Sequence, residues 1–324
     1  MPDRVDALLR DLTGEDRGAR RAAAPLLADL GAPVVERLLP LCADGASRYS
    51  PAESVLHRIG EAALLPLREV RRRGPGRLRR TALRLLVDLG GAECLAEADR
   101  RAVERLVRIR LAEEGDVRLP SDAGRWLAFP ADRFDDAVAA LDLHGLTPAT
   151  VAMGVAAATA AENSREFRDA QGATATAYRV FITPEFENWQ HEGPGRMWRL
   201  VWGDSFVDEL DGFTLADRLS RRCGEAHFYG IDPYHSAENW YVSREGRGVR
   251  GYSTYADPPF FGDPLPFEAG EDEDSEGTVH ASTAAFLLSV EPGPMSAHGT
   301  RGHGWLATTR PEVPLDRFRG ALPV

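Results

Sequence analysis

The chain contains no lysine: all 39 of its basic residues are arginine. Because this bias runs along the whole length, beside 31 Gly and 22 Pro, it points to coding pressure rather than to one site chosen for guanidinium chemistry. Cysteine is scarce as well. Cys42, Cys94 and Cys223 are odd in number and far apart, which excludes a disulfide-built scaffold and suits free thiols in a reducing compartment. No apolar run approaches the roughly 20 residues that span a bilayer. The longest small-residue stretch, residues 151–161, is Ala-rich and shorter. The opening run MPDRVDALLR has acids within its first six residues and no apolar centre, so it does not read as a signal peptide. A cytoplasmic protein is the expectation. Catalytic signatures are missing too: there is no GxSxG, HExxH or paired CxxC.

Aromatics are nearly absent from the first 125 residues, where Tyr49 stands alone; all six Trp and all thirteen Phe come later. Charge divides at the same place. Residues 1–120 hold 22 Arg against 19 acids, a net +3, and residues 121–324 hold 17 Arg against 31 acids, a net −14. One half therefore builds its core from Leu, Ala and Val, and the other from large aromatics. The turn-like run LPSDAG at 119–124 is the natural boundary, giving expected domains of residues 1–118 and 125–324.

What the first half does contain is a repeat. Ala23, Ala52 and Ala82 recur in step with Leu27, Leu56 and Leu86 and with Gly31, Gly60 and Gly90, at a period of 29 or 30 residues. The small Ala lets two helices approach, the Leu supplies an apolar stripe at helical spacing, and the Gly closes the first helix of each pair at its C-cap. One helical hairpin cannot bury its own apolar face and must stack on its neighbours. These residues resemble HEAT-like repeats of the short variety over about residues 4–115. The resemblance implies an all-α solenoid, a surface used for holding partners. Pro25 inside a first helix departs from that pattern. So does Glu97, where the third register loses an apolar residue, so the last hairpin reads as a cap.

In the second half, PADRFDDAVAALDL and TPATVAMGVAAATAAENSREF read as helices, the latter starting at Thr147 before Pro148. YRVFIT (178–183) and MWRLVW (197–202) read as strands, TLADRLSRRC as a helix stopped by Gly224, and NWYVSREGRGVRGYSTY as a hairpin. An apolar helix or strand follows at residues 281–290. The expected fold is multidomain: an N-terminal α-solenoid followed by an α+β domain on an antiparallel sheet. The order of elements loosely resembles uncharacterised actinobacterial domains and immunity-type domains that neutralise a toxin.

Candidate sites follow from charge and aromatic clusters. Arg68, Arg71, Arg72, Arg73, Arg77, Arg79, Arg80 and Arg84 crowd around the turn GPG, opposed by Glu69 alone. Arg71, Arg72, Arg73, Arg77 and Arg80 could meet an acidic protein surface or a phosphate backbone, or form a solvated helix face. The acidic pI of 5.3 opposes nucleic-acid binding. The run FEAGEDEDSEG, with Glu268, Glu271, Asp272, Glu273, Asp274 and Glu276, lacks the register of a Ca²⁺ loop and reads as a solvated loop. On a strand Cys223, Glu225 and His227 would share a face, although Cys223 reads better as a helix end. His227, Asp232 and His235 are the candidates for a metal or hydrolytic site; His298 and His303 sit in a Gly-rich loop. Trp198, Leu200 and Trp202 alternate toward a core, whereas Phe260 and Phe261, in a Pro/Gly loop, are the expected exposed anchors. The favoured function is a non-enzymatic protein-binding module, an immunity, adaptor or regulatory protein with no cofactor. The alternatives are a metal-dependent enzyme in the second domain and nucleic-acid binding through Arg71–Arg80.

Overall fold

The computed structural model describes residues 2–43, 50–114, 117–118, 124–159, 163–188, 196–203, 206–207, 211–232, 234–270, 280–292, 294–295 and 300–322. The chain divides into two compact units. One comprises residues 1–103 with 319–322, the other residues 104–318 with 323–324. The division falls inside a helix, upstream of the LPSDAG run.

The first unit is helical: α1 (Pro2–Thr13), α2 (Arg17–Asp29), α3 (Val35–Ala43), α4 (Pro51–Ile59), α5 (Leu64–Arg73), α6 (Gly76–Gly90) and the start of α7 (Glu97–Glu113). The repeat is written into its geometry. Each of α2, α4 and α6 runs into a 3₁₀ turn (Ala32–Val34, Gly60–Ala63, Ala92–Cys94) that leads to the next helix. The recurring Ala23, Leu27, Ala52, Leu56, Ala82 and Leu86 are all buried in one core. Gly31 and Gly60 adopt φ of +67° and +63°, the left-handed region in which only glycine escapes a Cβ penalty. In the third register this conformation moves one residue on, to Gly91 (φ +75°). Gly90 itself stays helical, and it is close packing that calls for glycine there: a Cβ would stand 2.4 Å from the Cys94 sulfur and 3.1 Å from Leu64. Pro25 is accommodated within α2. Arg84 on α6 pairs with the buried Glu53 on α4 and with Asp88 at 3.2 Å, fastening two hairpins. The C-terminal residues return to this unit: the Gly320 N–H donates to the Val87 carbonyl, and Leu322 packs on the helical core. No pattern in the sequence announces that return.

The second unit is α+β. In chain order it contains β1 (Val117–Arg118), β2 (Gly124–Pro130), α8 (Phe134–Ala140), β3 (His144–Ala149), α9 (Val151–Ala158), β4 (Ser164–Arg168), β5 (Thr174–Ile182), β6 (Glu185–Glu187) and β7 (Met197–Trp202). There follow α10 (Gly212–Cys223), β8 (Glu225–Asp232), β9 (Ala237–Arg244), β10 (Arg247–Ser253), β11 (Phe260–Phe261), α11 (Ala281–Leu288), β12 (Pro294–Met295), β13 (Thr300–Arg301) and β14 (Gly304–Thr308). The main sheet runs β11-β10-β9-β8-β2-β7-β5-β14-β3, with β4 beside β5, and β6 joining β13 to β7. Its pairings among the described residues are antiparallel, as expected. The β9–β10 hairpin turns through Glu245 and Gly246, both at positive φ, the two-residue turn whose twist matches its strands.

Several strands fall where none was expected, among them β2, β3, β4 and β14. GRWLAFP forms β2, the strand between β7 and β8, and its Trp126, Leu127, Ala128 and Phe129 are fully buried. A strand covered on both faces shows no alternation, so periodicity cannot reveal it. The expected helix start at Thr147 is instead β3, paired with β14. Thr150 caps α9, its hydroxyl accepting from the Met153 N–H at 3.1 Å. The tail of that expected helix, residues 164–167, lies in β4.

One face of the sheet carries Leu127, Phe129, Val180, Ile182, Val201, Ala226 and Phe228, packed on α8 and α10. The other face meets α9 and α11. Across it runs a single rung of aromatics, one on each of seven consecutive strands: Phe181, Trp202, Trp126, Tyr229, Trp240, Tyr252 and Phe260. Trp126 stacks between Trp202 (5.8 Å between centroids) and Tyr229 (5.4 Å), and Tyr252 lies 4.9 Å from Phe260. Directly opposed aromatics stabilise neighbouring strands by roughly 0.2–1 kcal/mol per pair relative to Ala–Ala. Trp198, Leu200 and Trp202 are buried, as their alternation predicts. No helix among the described residues is long and apolar enough to cross a membrane.

Candidate functional site

Strand β8 places Glu225, His227 and Tyr229 on one face, while Cys223 ends α10 and turns into the opposite core. The three β8 residues and Ser289, at the C-terminal end of α11, form a chain of hydrogen bonds. A neutral His227 protonated on Nε2 satisfies every member. Nε2–H donates to Glu225 Oε1 (3.4 Å), the Tyr229 hydroxyl donates to Nδ1 (3.0 Å), and the Ser289 hydroxyl donates to Tyr229 (3.0 Å). Burial holds the His227 imidazole below its ordinary value, against the opposing pull of Glu225. Burial alone would raise the Glu225 carboxyl. Hydrogen bonds from His227, from Arg196 (2.5 Å) and from Arg244 (3.1 Å) outweigh it and hold that group well below the usual carboxylate range. Trp198 leans over the His227 ring at 4.8 Å, and the Arg196 guanidinium covers Trp198 at the same distance. His227, Tyr229 and Ser289 are each no more than 1 % exposed, so these three fasten α11 to the sheet with their polar atoms closed to solvent.

The candidate metal residues are not gathered. His227 lies inside the relay. Asp232 and His235 belong to the β8–β9 turn, where the Asp232 carboxylate accepts from the Tyr234 N–H (3.0 Å), the His235 N–H (3.3 Å) and His235 Nδ1 (2.7 Å). That hydrogen bonding from His235 keeps the Asp232 carboxyl below its ordinary value. Among the described residues no three His, Cys, Asp or Glu stand together to hold a metal ion. A cleft of about 490 Å³ opens beside Asp132, Arg133, Arg196, Met197 and Cys223. Burial pushes the Cys223 thiol up to about 12, which leaves it protonated and unreactive at neutral pH.

The arginine run does converge on the α5–α6 turn, but its charges are largely engaged within the helical unit. Arg71 donates to Asp99 through Nε (2.8 Å) and Nη2 (2.6 Å). Arg72 and Arg73 share Glu69 at 2.7 and 3.0 Å. Arg79 donates to the Gly74 carbonyl at 2.7 Å and closes the turn. Arg77 and Arg80 remain as exposed cations without a partner among the described residues. Of the acidic run, residues 271–279 lie outside the described residues, as does His298. Glu268 is not a freely solvated charge: it is partly buried and paired with Arg250 (3.0 and 2.5 Å). His303 packs on Trp305 at 4.7 Å, its imidazole lowered by burial.

The exposed aromatics stand elsewhere. At the end of the β8–β9–β10 edge, Tyr234 is 92 % exposed and Tyr255 is 70 % exposed. The Asp232 turn holds Tyr234 out. Tyr255 follows directly on the last rung, where Thr254 and Glu238 bond through the Thr254 N–H to the Glu238 carbonyl (3.0 Å) and the Glu238 N–H to the Thr254 hydroxyl (2.8 Å). Glu238 itself caps α11, accepting from the Ala281 N–H at 2.7 Å and from His280 at 3.1 Å. On β11, Phe261 rests on Tyr241 and keeps 42 % of its surface open. Phe260 is only half an anchor, held between Tyr252 and the Arg250 guanidinium, which lies 4.6 Å above its ring. Sequence reasoning located Phe261 and missed both tyrosines. Their signal was the setting, a DPYH turn and a TYADPP loop with no alternating strand around either ring. No protein-family model, curated protein or solved structure matches the chain.

Proposed function

We propose that the chain is a protein-binding module of the immunity, adaptor or regulatory kind. It acts in the cytoplasm and docks its partner on the aromatic corner formed by Tyr234, Tyr255 and Phe261. The observation that carries this is exposure. In a unit that buries Trp126, Trp202 and Trp240 along one rung, two tyrosines at one end of the β8–β9–β10 edge are 92 % and 70 % exposed. A bare aromatic gains most by being covered, and tyrosines of this kind recur as interface anchors. The helical unit, read as a short HEAT-like solenoid from its repeated Ala–Leu–Gly register, adds a second surface on which Arg77 and Arg80 are exposed cations without a partner among the described residues.

The test is affinity capture from native cells with the wild-type protein and the Tyr234→Ala/Tyr255→Ala variant as baits. A stoichiometric protein retained by the first and lost by the second is the expected result. Equal retention by both baits would remove the corner as the docking surface.

A further inference from the structure

Resting on that docking surface, we infer that the corner seats arginine side chains of the partner protein. The argument begins inside the molecule. Three times this unit holds an arginine by laying its guanidinium on an aromatic ring and bonding it to a carboxylate. Arg250 covers Phe260 at 4.6 Å and meets Glu268 at 3.0 and 2.5 Å. Arg196 covers Trp198 at 4.8 Å and meets Glu225 at 2.5 Å. Arg199 covers Phe134 at 5.1 Å and meets Glu185 at 3.1 Å. The planar cation suits this seat because its face stacks on the ring while its edge donates to the carboxylate.

The exposed loops carry the same two elements close in sequence, Tyr255 two residues from Asp257 and Phe261 two residues from Asp263, beside an Arg250 already engaged with the Phe261 and Gly262 carbonyls at 3.4 and 2.7 Å. Residues 231–239 and 253–263 contain Asp232, Glu238, Asp257 and Asp263 and no basic residue other than His235. Asp232 and Glu238 are occupied in holding the turn and α11. Asp257 and Asp263 are exposed, with no partner among the described residues, on either side of β11 and its Phe261. Tyr234, Tyr255 and Phe261 supply the rings. The net −14 charge of residues 121–324 draws a cationic segment toward this unit. An acidic or phosphate-bearing partner meets repulsion there. A purely apolar partner leaves the two aspartates unpaired as it covers the rings.

The measurement is fluorescence anisotropy of a labelled peptide carrying three arginines spaced by Gly-Ser, beside the same peptide with lysines, titrated with the full chain. Saturable binding is expected, tighter for arginine than lysine by about fivefold. It should weaken about tenfold in Tyr234→Ala/Tyr255→Ala and in Asp257→Asn/Asp263→Asn. Thermal melting checks that these surface variants stay folded. Equal affinity for the two peptides, or binding that survives both double variants, overturns the arginine seat. The cellular capture separates the two claims. If the tyrosine pair still abolishes capture while the peptides bind alike or not at all, docking at the corner holds and arginine recognition falls. If capture ignores the tyrosine pair, docking itself falls.

Discussion

Replacing Tyr229 with Phe removes one oxygen from the middle of the buried relay and leaves the ring that stacks on Trp126 in place. The cost follows from who loses a partner. His227 Nδ1 loses its only donor among the described residues, and the Ser289 hydroxyl loses its acceptor, both at sites closed to water. An unsatisfied buried polar group costs about 1–3 kcal/mol, so two of them should cost about 2–4 kcal/mol after local relaxation. Ser289→Ala is the milder comparison. Tyr229 still donates to His227 and loses only an incoming bond, for about 1 kcal/mol. All six tryptophans lie in the sheet unit, so urea unfolding followed by their fluorescence reports this unit alone. The expected result is a lower midpoint at unchanged slope, with Tyr229→Phe shifted more than Ser289→Ala. Two variants within about 0.5 kcal/mol of wild type would refute the relay, and a larger loss in Ser289→Ala would refute its direction.

Acid should destabilise the same unit by the same groups. His227 is held below its ordinary 6.5 by burial, so between that value and its folded one the unfolded chain binds more protons, and stability falls as pH drops below about 6.5. Glu225, held low in the fold, adds a second loss with the same sign below its ordinary 4.5. A urea midpoint that stays flat from pH 7 to pH 4 contradicts both. Gly154→Ala on α9 places a methyl group 2.1–2.3 Å from the Phe181 ring and should cost about 1–3 kcal/mol by overpacking, read by the same fluorescence. In the helical unit Arg71→Ala should cost about 1–3 kcal/mol, because Asp99 is left partly buried and unpaired. Arg77→Ala and Arg80→Ala should each stay within about 0.5 kcal/mol. Circular dichroism at a helix-sensitive wavelength distinguishes these outcomes.

Local signals carried much of the fold. The Ala–Leu–Gly register marked helix pairs because each position answers a local demand: close approach, an apolar stripe and a positive φ. The β9–β10 hairpin and the end of α10 at Gly224 were legible for the same reason. What escaped was non-local. β2 is apolar on both faces, so no periodicity marks it, and its neighbours β7 and β8 lie far along the chain. The aromatic rung exists only through that strand order. Pro148 resembled a helix start because an edge strand tolerates proline as readily as a first helical turn does. At the candidate site, the Glu225–His227 alternation was visible on β8, whereas Ser289 joins it from across the fold. Aromatic composition suggests burial, and only the backbone of the two turns shows that Tyr234 and Tyr255 stand outside.

Docking at the aromatic corner is tested most directly by a photo-crosslinking amino acid placed at Tyr255 in the intact protein and irradiated in native cells. An adduct with one discrete partner, formed from position 255 and from position 234 but not from the exposed Leu65 of the helical unit, is the predicted result. Adducts that form equally from all three positions, or from none, would contradict it.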